Sequence, residues 1–394
     1  MKRNLLFTLA LSALFLTSCS TDDTADITIN NTYNNGNGSG NGGGEVYLSG
    51  TYNIDLTLDA NTNYVINGPL IMTSGTVLTI PEGTTVQALA SGPDVYIAIS
   101  EGAQIIANGT ANNPIVLTSN SSNPQAGDWG GLILLGDAPI NSVSGSATST
   151  SEIGGLPYGG TDSNDNSGTL RYVRVEYSGG SADGQTENNG ISFYGVGNGT
   201  TVEYIEAYEG KDDGIEFFGG TVNVNNIIVI NAQDDSVDWT EGFSGTLTDV
   251  YIKHGADHDK GIEADGYNTD IGNNSNPLFF SKPNVTNLTI IGLGSSTGNE
   301  AVRLRAGTQG IFTNVLIEGF AEGYDLDGDS GNNPTGAGVI SDDLQVTNIT
   351  FTDVTLNMKN DTGETFTEAD FISGNGTGTG TNVNSWGANW SVGL

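Results

Sequence analysis

A short pattern of polar and apolar residues recurs along the second half of the chain at a nearly constant spacing. Its members share the frame polar–Asn/Asp–apolar–x–apolar, and they are "NNIIVINA" (225–232), "TDVYIKHG" (248–255), "TNLTIIGL" (286–293), "TNVLIEGF" (313–320) and "TNITFTDV" (347–354). "EYIEAYEG" (203–210) precedes them in the same phase. The closest members start 22 and 23 residues apart, which suits one turn of a solenoid, and the wider gaps indicate inserted loops.

The segments between these repeats are short β-type runs separated by Gly, Asn, Asp and Ser. No helical periodicity of ten or more residues lies between them, so each turn holds two or three short strands. An antiparallel sandwich would need longer alternating strands and hairpin turns, and it would not produce a 22-residue phase. We therefore predict an all-β fold, a single-stranded right-handed parallel β-helix, in which equivalent positions stack about 4.8 Å apart.

The N-terminus resembles the signal of a bacterial lipoprotein. Lys2 and Arg3 precede a short apolar segment (5–16), and "LTSC" (16–19) places small residues before the only cysteine, Cys19. The resemblance implies cleavage before Cys19 and lipidation of its sulfur, with palmitate-type acyl chains holding the protein on the outer membrane. The acids of "STDD" (20–23) resemble the surface-export signal of Bacteroidetes lipoproteins, which implies a protein that faces the cell exterior.

The chain is thereby divided into three parts. Residues 1–18 are the predicted lipoprotein signal peptide. Residues 19–48, which include "NNTYNNGNGSGNGGG", are a predicted flexible Gly/Asn-rich tether because they cannot bury a core. Residues 49–394 are the predicted β-helix domain, and its stability must come from packing and hydrogen bonds because a lipidated Cys19 leaves no disulfide.

Charge excludes one class of partner. The 11 Lys and Arg residues face 46 Asp and Glu residues, which gives a formal net charge of −35. Such a surface repels nucleic acid and anionic membranes, so we expect no nucleic-acid partner. A cation is a more favourable ligand for this surface than nucleic acid or an anionic membrane.

Residues 78–140 resemble a recurrent family of Bacteroidetes surface lipoproteins with a right-handed parallel β-helix of the pectate-lyase-like type. The resemblance is carried by "LTIPEGTTV" (78–86), "EGAQIIANGTANNPIVLTS" (101–119) and "GDWGGLILLGDAPIN" (127–141). It implies a surface β-helix, and it implies no settled activity.

Acidic residues fall at the same phase of successive coils. If Ile191, Ile215, Val237, Ile262, Val302 and Tyr324 share one inward position, their neighbours point outward by period-2 alternation. Those neighbours and the turn acids before them form a predicted binding ladder of Asp212, Glu216, Asp238, Asp259, Glu263 and Asp325. The next inward position predicts an interior aromatic stack of Phe193, Phe217 and Trp239.

Stacked carboxylates need an explanation, because two of them about 5 Å apart repel by roughly 0.8 kcal/mol in water and about 3 kcal/mol at an effective dielectric of 20. Three explanations remain open: a solvated acidic face, a face that binds a cation or another ligand, and a hydrolytic or lyase centre. Ca²⁺, which takes six to eight oxygen ligands, is the cofactor the second would use.

The enzyme alternative rests on a similarity to polygalacturonase-like glycosidases in "DDGIE" (212–216), "DDSVD" (234–238) and "RLR" (303–305). The resemblance implies that Asp213, Asp234 and Asp235 supply the acid and base, while Arg303 and Arg305 grip an acidic sugar. The sequence departs from the pattern at the expected His-Gly, where Lys260 and Gly261 stand. Lys260 is also the candidate base of a Ca²⁺-dependent lyase.

Two further motifs give weaker evidence for a metal site. "DLDGDSG" (325–331) places Asp325, Asp327 and Asp329 as a Ca²⁺ loop does, but its Gly falls at position 7 and no Glu follows at position 12. The only two histidines, His254 and His258, fall at different phases, which argues against a shared zinc site. We therefore predict a non-enzymatic glycan- or cation-binding or structural protein of the cell envelope, with a polysaccharide hydrolase or lyase as the alternative.

Overall fold

A computed structural model describes residues 44–142, 147–181, 186–269, 279–328 and 335–394. These residues belong to one compact unit, Asn31–Leu394. Cys19, the predicted lipidation site, and Asp329, the last acid of the predicted Ca²⁺ loop, lie outside the described residues.

The described chain is a succession of short strands with little helix. The elements, in chain order, are β1 Val46–Tyr52, β2 Leu56–Thr57, β3 Tyr64–Met72, β4 Val77–Ile80, β5 Thr85–Ala88, β6 Ile97–Ile99, β7 Gln104–Asn108, β8 Ile115–Ser119, β9 Leu132–Leu135, β10 Ser149–Thr150, β11 Pro157–Tyr158, β12 Gly168–Glu176, β13 Gly180–Ser181, β14 Glu187–Asn188, β15 Ile191–Tyr194, β16 Thr201–Tyr208, β17 Ile215–Phe218, β18 Val224–Ile230, β19 Val237–Thr240, β20 Thr246–Lys253, β21 Ile262–Asp265, β22 Asn284–Ile291, β23 Glu300–Arg305, β24 Gly310–Leu326, α1 Thr335–Ile340, β25 Leu344–Asn360, α2 Glu368–Phe371, β26 Ile372–Asn375 and a 3₁₀ turn at Val383–Ser385. In the described ranges no helix has both the length and the apolar character that a membrane crossing requires.

The strands pair in parallel with their equivalents one coil away. One stack, which we call the ladder stack, contains β9, β15, β17, β19, β21 and β23. A second stack contains β12, β16, β18, β20 and β22, and β24 pairs with the last strand of both. The described antiparallel pairs are the small hairpins β10–β11 and β13–β14 and one isolated bridge. The predicted all-β parallel β-helix is therefore confirmed.

Asn and Asp explain the sequence repeat, because from Asn226 onward they stand at one bend of successive coils, whereas Tyr172 and Tyr204 take the equivalent left-handed positions in the earlier coils. Asn226, Asp249, Asn287, Asn314 and Asn348 are equivalent in register, and all have φ between 57° and 63°. Short polar side chains tolerate this left-handed conformation better than other non-glycine residues do. Their side chains also join the coils, since Asn314 donates to Asn287 at 2.8 Å and Asn287 donates to Asp249 at 3.0 Å.

Apolar columns fill the interior of the ladder stack. Register pairs place the six predicted inward residues above one another, and all six are fully buried: Ile191, Ile215, Val237, Ile262, Val302 and Tyr324. The predicted aromatic stack is confirmed as well, because the rings of Phe193 and Phe217 lie 5.1 Å apart and Trp239 continues the column. Such a pair contributes about 0.5–1.5 kcal/mol beyond its buried area. This rigid column holds the opposite, outward-facing side chains in register.

Candidate functional site

The outward face of the ladder stack forms a cleft of about 360 Å³. Eleven carboxylates, two arginines and one lysine lie among the residues that line it. The predicted residues that the cleft brings together are Asp212, Asp213, Glu216, Asp234, Asp235, Asp238, Asp259, Lys260, Glu263, Arg303 and Arg305. The predicted clustering of the acids on one face is therefore present in the fold, although five of these eleven residues are buried and the other six are half-buried, so they line a cleft and do not form a solvated surface.

Strand register sets the first row of the ladder. Glu216 pairs with Asp238, Asp238 with Glu263, and Glu263 with Arg303 in successive parallel strands. Asp325 continues the same row beside Arg303, but it does not line the cleft. The ladder thus begins as carboxylates and changes to alternating charges.

A second row comes from the turns that precede these strands, and here the carboxylates tie the coils together. An Asp213 carboxylate oxygen, Oδ1, accepts the backbone N–H of Asp235 at 2.9 Å. Asp235 repeats this contact one coil later, accepting the N–H of Lys260 at 2.7 Å. Asp213, Asp235 and Lys260 are therefore equivalent positions of three successive coils.

Basic side chains neutralise one end of the cleft. The Lys260 ammonium lies 2.6 Å from Asp259, 3.0 Å from Glu263 and 3.8 Å from Asp235. Arg305 forms ion pairs with Glu263 and with Asp265. Burial lowers the pKa of Lys260, and the charges of Asp235 and Glu263 more than offset that effect, so the ammonium stays charged. Lys260 and Arg305 thus have partners within the chain.

At the other end of the cleft five described acids have no ion-pair partner, although the charges of Lys260 and Arg305 reduce the rise in pKa that burial causes at Asp234 and Asp238. Among the residues that the structure describes, no Lys or Arg forms an ion pair with the five acids Asp212, Asp213, Glu216, Asp234 and Asp238. The amide of Asn189 donates to Glu216 at 2.7 Å, which is a polar but uncharged contact. We call these five residues the acidic end.

Burial and mutual repulsion both disfavour the charged forms at the acidic end. Burial, together with the charges of Glu187 and Asp234, raises the pKa of Asp212 to about 8. Burial and the neighbouring Asp238 charge hold the pKa values of Asp213 and Glu216 well above their usual range. Protonation or a bound cation must therefore compensate this end at neutral pH.

Two buried carboxylate oxygens at this end have no hydrogen-bond partner in the described chain. They are Oδ2 of Asp212, a residue that is only 6% exposed, and Oδ1 of Asp238. Buried polar atoms are normally satisfied, and an unpaired one costs about 1–3 kcal/mol or more when it is charged. Both residues line the cleft, where a ligand that binds oxygen atoms would complete them.

Groups of three carboxylates with ligand oxygens within 4.8 Å of one another occur four times in the cleft. The groups are Asp212–Asp213–Asp234, Asp213–Glu216–Asp238, Asp234–Asp235–Asp259 and Asp235–Asp238–Glu263. An oxygen-only ligand set at this spacing suits a hard cation such as Ca²⁺, whose bonds to oxygen are about 2.3–2.6 Å long.

Sequence reasoning missed three acids of the cleft. Asp265 lies two residues after Glu263 on the same face and pairs in register with Arg305, so period-2 alternation could have found it. Glu152 and Glu187 come from insertions outside the repeat, and the Glu152 carboxylate accepts the backbone N–H of Glu187 at 3.0 Å. No repeat signal marks these two residues.

Two other predictions need a separate account. Asp327 forms an ion pair with Arg303, and Asp325 accepts from Lys359 at 3.2 Å, so salt bridges occupy the predicted Ca²⁺ loop where it is described. The rings of His254 and His258 lie 4.2 Å apart, although the two residues fall at different phases of the coil. Burial lowers the pKa of His254 to about 3, and within the described ranges no third Cys, Asp, Glu or His completes a metal-binding group with the pair.

Comparison with known proteins identifies the family to which the chain belongs. No curated protein matches the chain. Two solved structures are similar to the chain at 13% identity. For the Dettilon tailspike protein (gp208), the match covers 79% of this chain and 62% of that chain, with a TM-score of 0.23. For the Yersinia enterocolitica family 28 exopolygalacturonase, it covers 78% of this chain and 74% of that chain, with a TM-score of 0.19. The alignment spans less than two thirds of the tailspike chain. A family profile described as the pectate-lyase-like beta helix domain matches residues 50–391, and the chain therefore belongs to the pectate-lyase-like β-helix family.

Proposed function

We propose that the protein binds divalent cations, with Ca²⁺ as the reference ion, at the acidic end of the cleft and serves a non-enzymatic role at the cell envelope. One observation carries the proposal: Asp212 is buried with an unpartnered carboxylate oxygen, and its ligand oxygen lies within 4.8 Å of those of Asp213 and Asp234. Oxygen ligands of this kind and number are those that Ca²⁺ prefers.

Electrostatics supports a cation over a neutral ligand. At an effective dielectric of 20, two carboxylates 4.8 Å apart repel by about 3 kcal/mol, and the acidic end contains several such pairs. A divalent cation among them adds an attraction to each carboxylate, and these attractions outweigh the repulsion. The residues lining the cleft include a single aromatic side chain, Phe218, so a sugar would find little surface for stacking in the described part of the site.

The alternative, a polysaccharide hydrolase or lyase, would use Asp213, Asp234 and Asp235. The contacts favour binding, because Asp213 and Asp235 each commit one oxygen to the backbone of the next coil. Arg303 and Arg305, which would grip an acidic sugar, each form ion pairs within the chain. Reducing-end and unsaturated-product assays on a polysaccharide panel test the alternative. Activity that Asp235→Asn abolishes would replace the binding proposal.

Calcium titration tests the proposal directly. We expect Ca²⁺ to bind the purified chain by calorimetry and to raise its thermal unfolding midpoint relative to EDTA, because ligands that bind only the folded state stabilise it. Glu216→Gln should weaken binding, whereas Glu318→Gln should not, since Glu318 is exposed on the second stack. An unchanged midpoint with Ca²⁺ and EDTA, together with no heat of binding, would contradict the proposal.

Envelope attachment is a separate part of the proposal and depends on residues 16–19. We propose that lipid on Cys19 anchors the protein to the outer membrane and that the tether presents the β-helix to the exterior. Labelling with a palmitate analogue should mark the wild type and not Cys19→Ala. Protease shaving of whole cells should remove the protein, and full protection would contradict outward display.

A further inference from the structure

The four carboxylate groups of the cleft are two groups, each repeated one coil further on. We call Asp212–Asp213–Asp234 the turn group and Asp213–Glu216–Asp238 the strand group. Register relates Glu216 to Asp238 and Asp238 to Glu263, so Asp235–Asp238–Glu263 is the strand group moved by one coil. Asp234–Asp235–Asp259 is likewise the turn group moved by one coil.

The two moved groups already contain a cation of the protein itself. The Lys260 ammonium forms ion pairs with Asp235 and Asp259 in one group and with Asp235 and Glu263 in the other. The Lys260 side chain is 7% exposed, and its pairs with Asp235 and Glu263 are well shielded from water, whereas its partner Asp259 is 48% exposed. The moved groups therefore have their charge compensation built in.

The turn group and the strand group lack such a side chain within the described ranges, and each contains one unsatisfied oxygen. Oδ2 of Asp212 is unpartnered in the turn group. Oδ1 of Asp238 is unpartnered as well; Asp238 belongs to the strand group and to its moved copy, where Lys260 forms ion pairs with Asp235 and Glu263 but not with Asp238. These two atoms belong to different residues on different coils. Each of the two groups thus contains a carboxylate oxygen that no hydrogen-bond donor of the described chain satisfies.

One ion cannot serve both groups. Ligands of a single Ca²⁺ at 2.3–2.6 Å lie within about 5 Å of one another. The described carboxylates meet that condition only in sets of three, and the turn and strand groups share Asp213 alone. Five carboxylates therefore require two coordination spheres with Asp213 in common.

We propose that the acidic end holds two divalent cations side by side, one in the turn group and one in the strand group, bridged by the carboxylate of Asp213. This inference rests on the proposed cation-binding function. The backbone N–H of Asp235 donates to Oδ1 of Asp213 and fixes the bridging carboxylate in place. Two divalent cations supply four positive charges against five carboxylates, a closer balance than one ion gives.

The number of ions per chain tests the proposal. Native mass spectrometry and equilibrium dialysis with Ca²⁺ should find two ions on the wild-type full-length chain. Asp212→Asn should retain the strand-group ion alone, Glu216→Gln should retain the turn-group ion alone, and Glu318→Gln should retain both. Asp213→Asn should weaken both ions by about tenfold or more, the scale seen when groups that support a metal site are removed.

The outcomes separate the two proposals. One ion on the wild type would overturn the pair and leave cation binding standing, whereas no ion would overturn both. Equal loss of all binding in Asp212→Asn and Glu216→Gln, with circular dichroism showing folded variants, would also overturn the pair. Energy transfer between bound Tb³⁺ and Eu³⁺ should report two close ions, and its absence at full occupancy would contradict bridging by Asp213.

Discussion

Replacing Lys260 with Met tests whether this lysine acts as the internal cation of the ladder. The substitution keeps a long unbranched side chain and removes the charge. At an effective dielectric of about 20, the ammonium gains about 5 kcal/mol from Glu263 at 3.0 Å and about 4 kcal/mol from Asp235 at 3.8 Å. Burial of the three charges offsets part of this attraction, so we expect Lys260→Met to lower the free energy of unfolding by about 3–5 kcal/mol.

The assay is urea unfolding at pH 8 in EDTA, compared with a matched variant. Lys282→Met removes an ion pair with Asp343 in which both side chains are more than one third exposed, and such pairs contribute about 0–1 kcal/mol. A loss in Lys260→Met no larger than that in Lys282→Met would refute the argument. The loss should also shrink at pH 5, because burial and the Glu263 charge raise the pKa of Asp235 and favour its neutral form there.

Calcium provides a second arm of the same experiment. Without the ammonium, Asp234–Asp235–Asp259 becomes an acidic site like those at the acidic end, whereas Arg305 still forms an ion pair with Glu263 in the other group. Ca²⁺ should therefore restore more stability to Lys260→Met than to Lys282→Met, and the number of bound ions should rise above that of the wild type. Equal restoration in the two variants would mean that Lys260 does not occupy a cation position.

Two further predictions concern pH and the core. Burial raises the pKa of Asp212 and of Glu206 to about 8, and that of Asp265 to about 6, so the folded state holds protons that the unfolded state releases near pH 4. The stability that these protons contribute is complete below pH 4 and is lost as the pH rises to 8, so the thermal unfolding midpoint in EDTA should fall between pH 5 and pH 8. Ca²⁺ should oppose this fall, and a midpoint in EDTA that rises with pH would contradict the assignment. Phe217→Ala should cost about 3–5 kcal/mol by urea unfolding, because Phe217 is fully buried between Phe193 and Phe243, whereas Tyr47→Ala at a 43% exposed position should cost much less; similar losses would contradict the interior column.

The coil register was predictable because two periods act together. Alternation along a strand fixes which of Ile215 and Glu216 points inward, and the 22-residue repeat then carries that choice to Val237 and Asp238. A slip by one residue would place Glu216 in the apolar column, at a cost of several kcal/mol for a buried charge. The interior and the ladder could therefore be located without coordinates.

Contacts made by insertions were not predictable in the same way. Glu152 and Glu187 reach the cleft from segments that follow no repeat, so their approach to Asp212 depends on how those segments fold back. The meeting of His254 and His258 has the same origin, because an irregular turn separates them and the coil phase does not fix their positions. The ion-pair partner of Arg303 could not be predicted from the sequence either, because both Glu300 and Asp327 in the following loop lie within its reach.

Charge at the ladder positions is the feature that calls for a ligand. Tying one coil to the next requires only an oxygen that accepts a backbone N–H, and the amide of Asn supplies one as well as a carboxylate does. At its other bend the chain joins successive coils without a carboxylate, because the side-chain amide of Asn314 donates to the side-chain oxygen of Asn287. At the ladder it places Asp213 and Asp235 instead, although burial and neighbouring acids raise the pKa of both. Charged carboxylates in such positions oppose folding unless they are compensated. Lys260 supplies that compensation at one end, and protons or cations from solution must supply it at the acidic end.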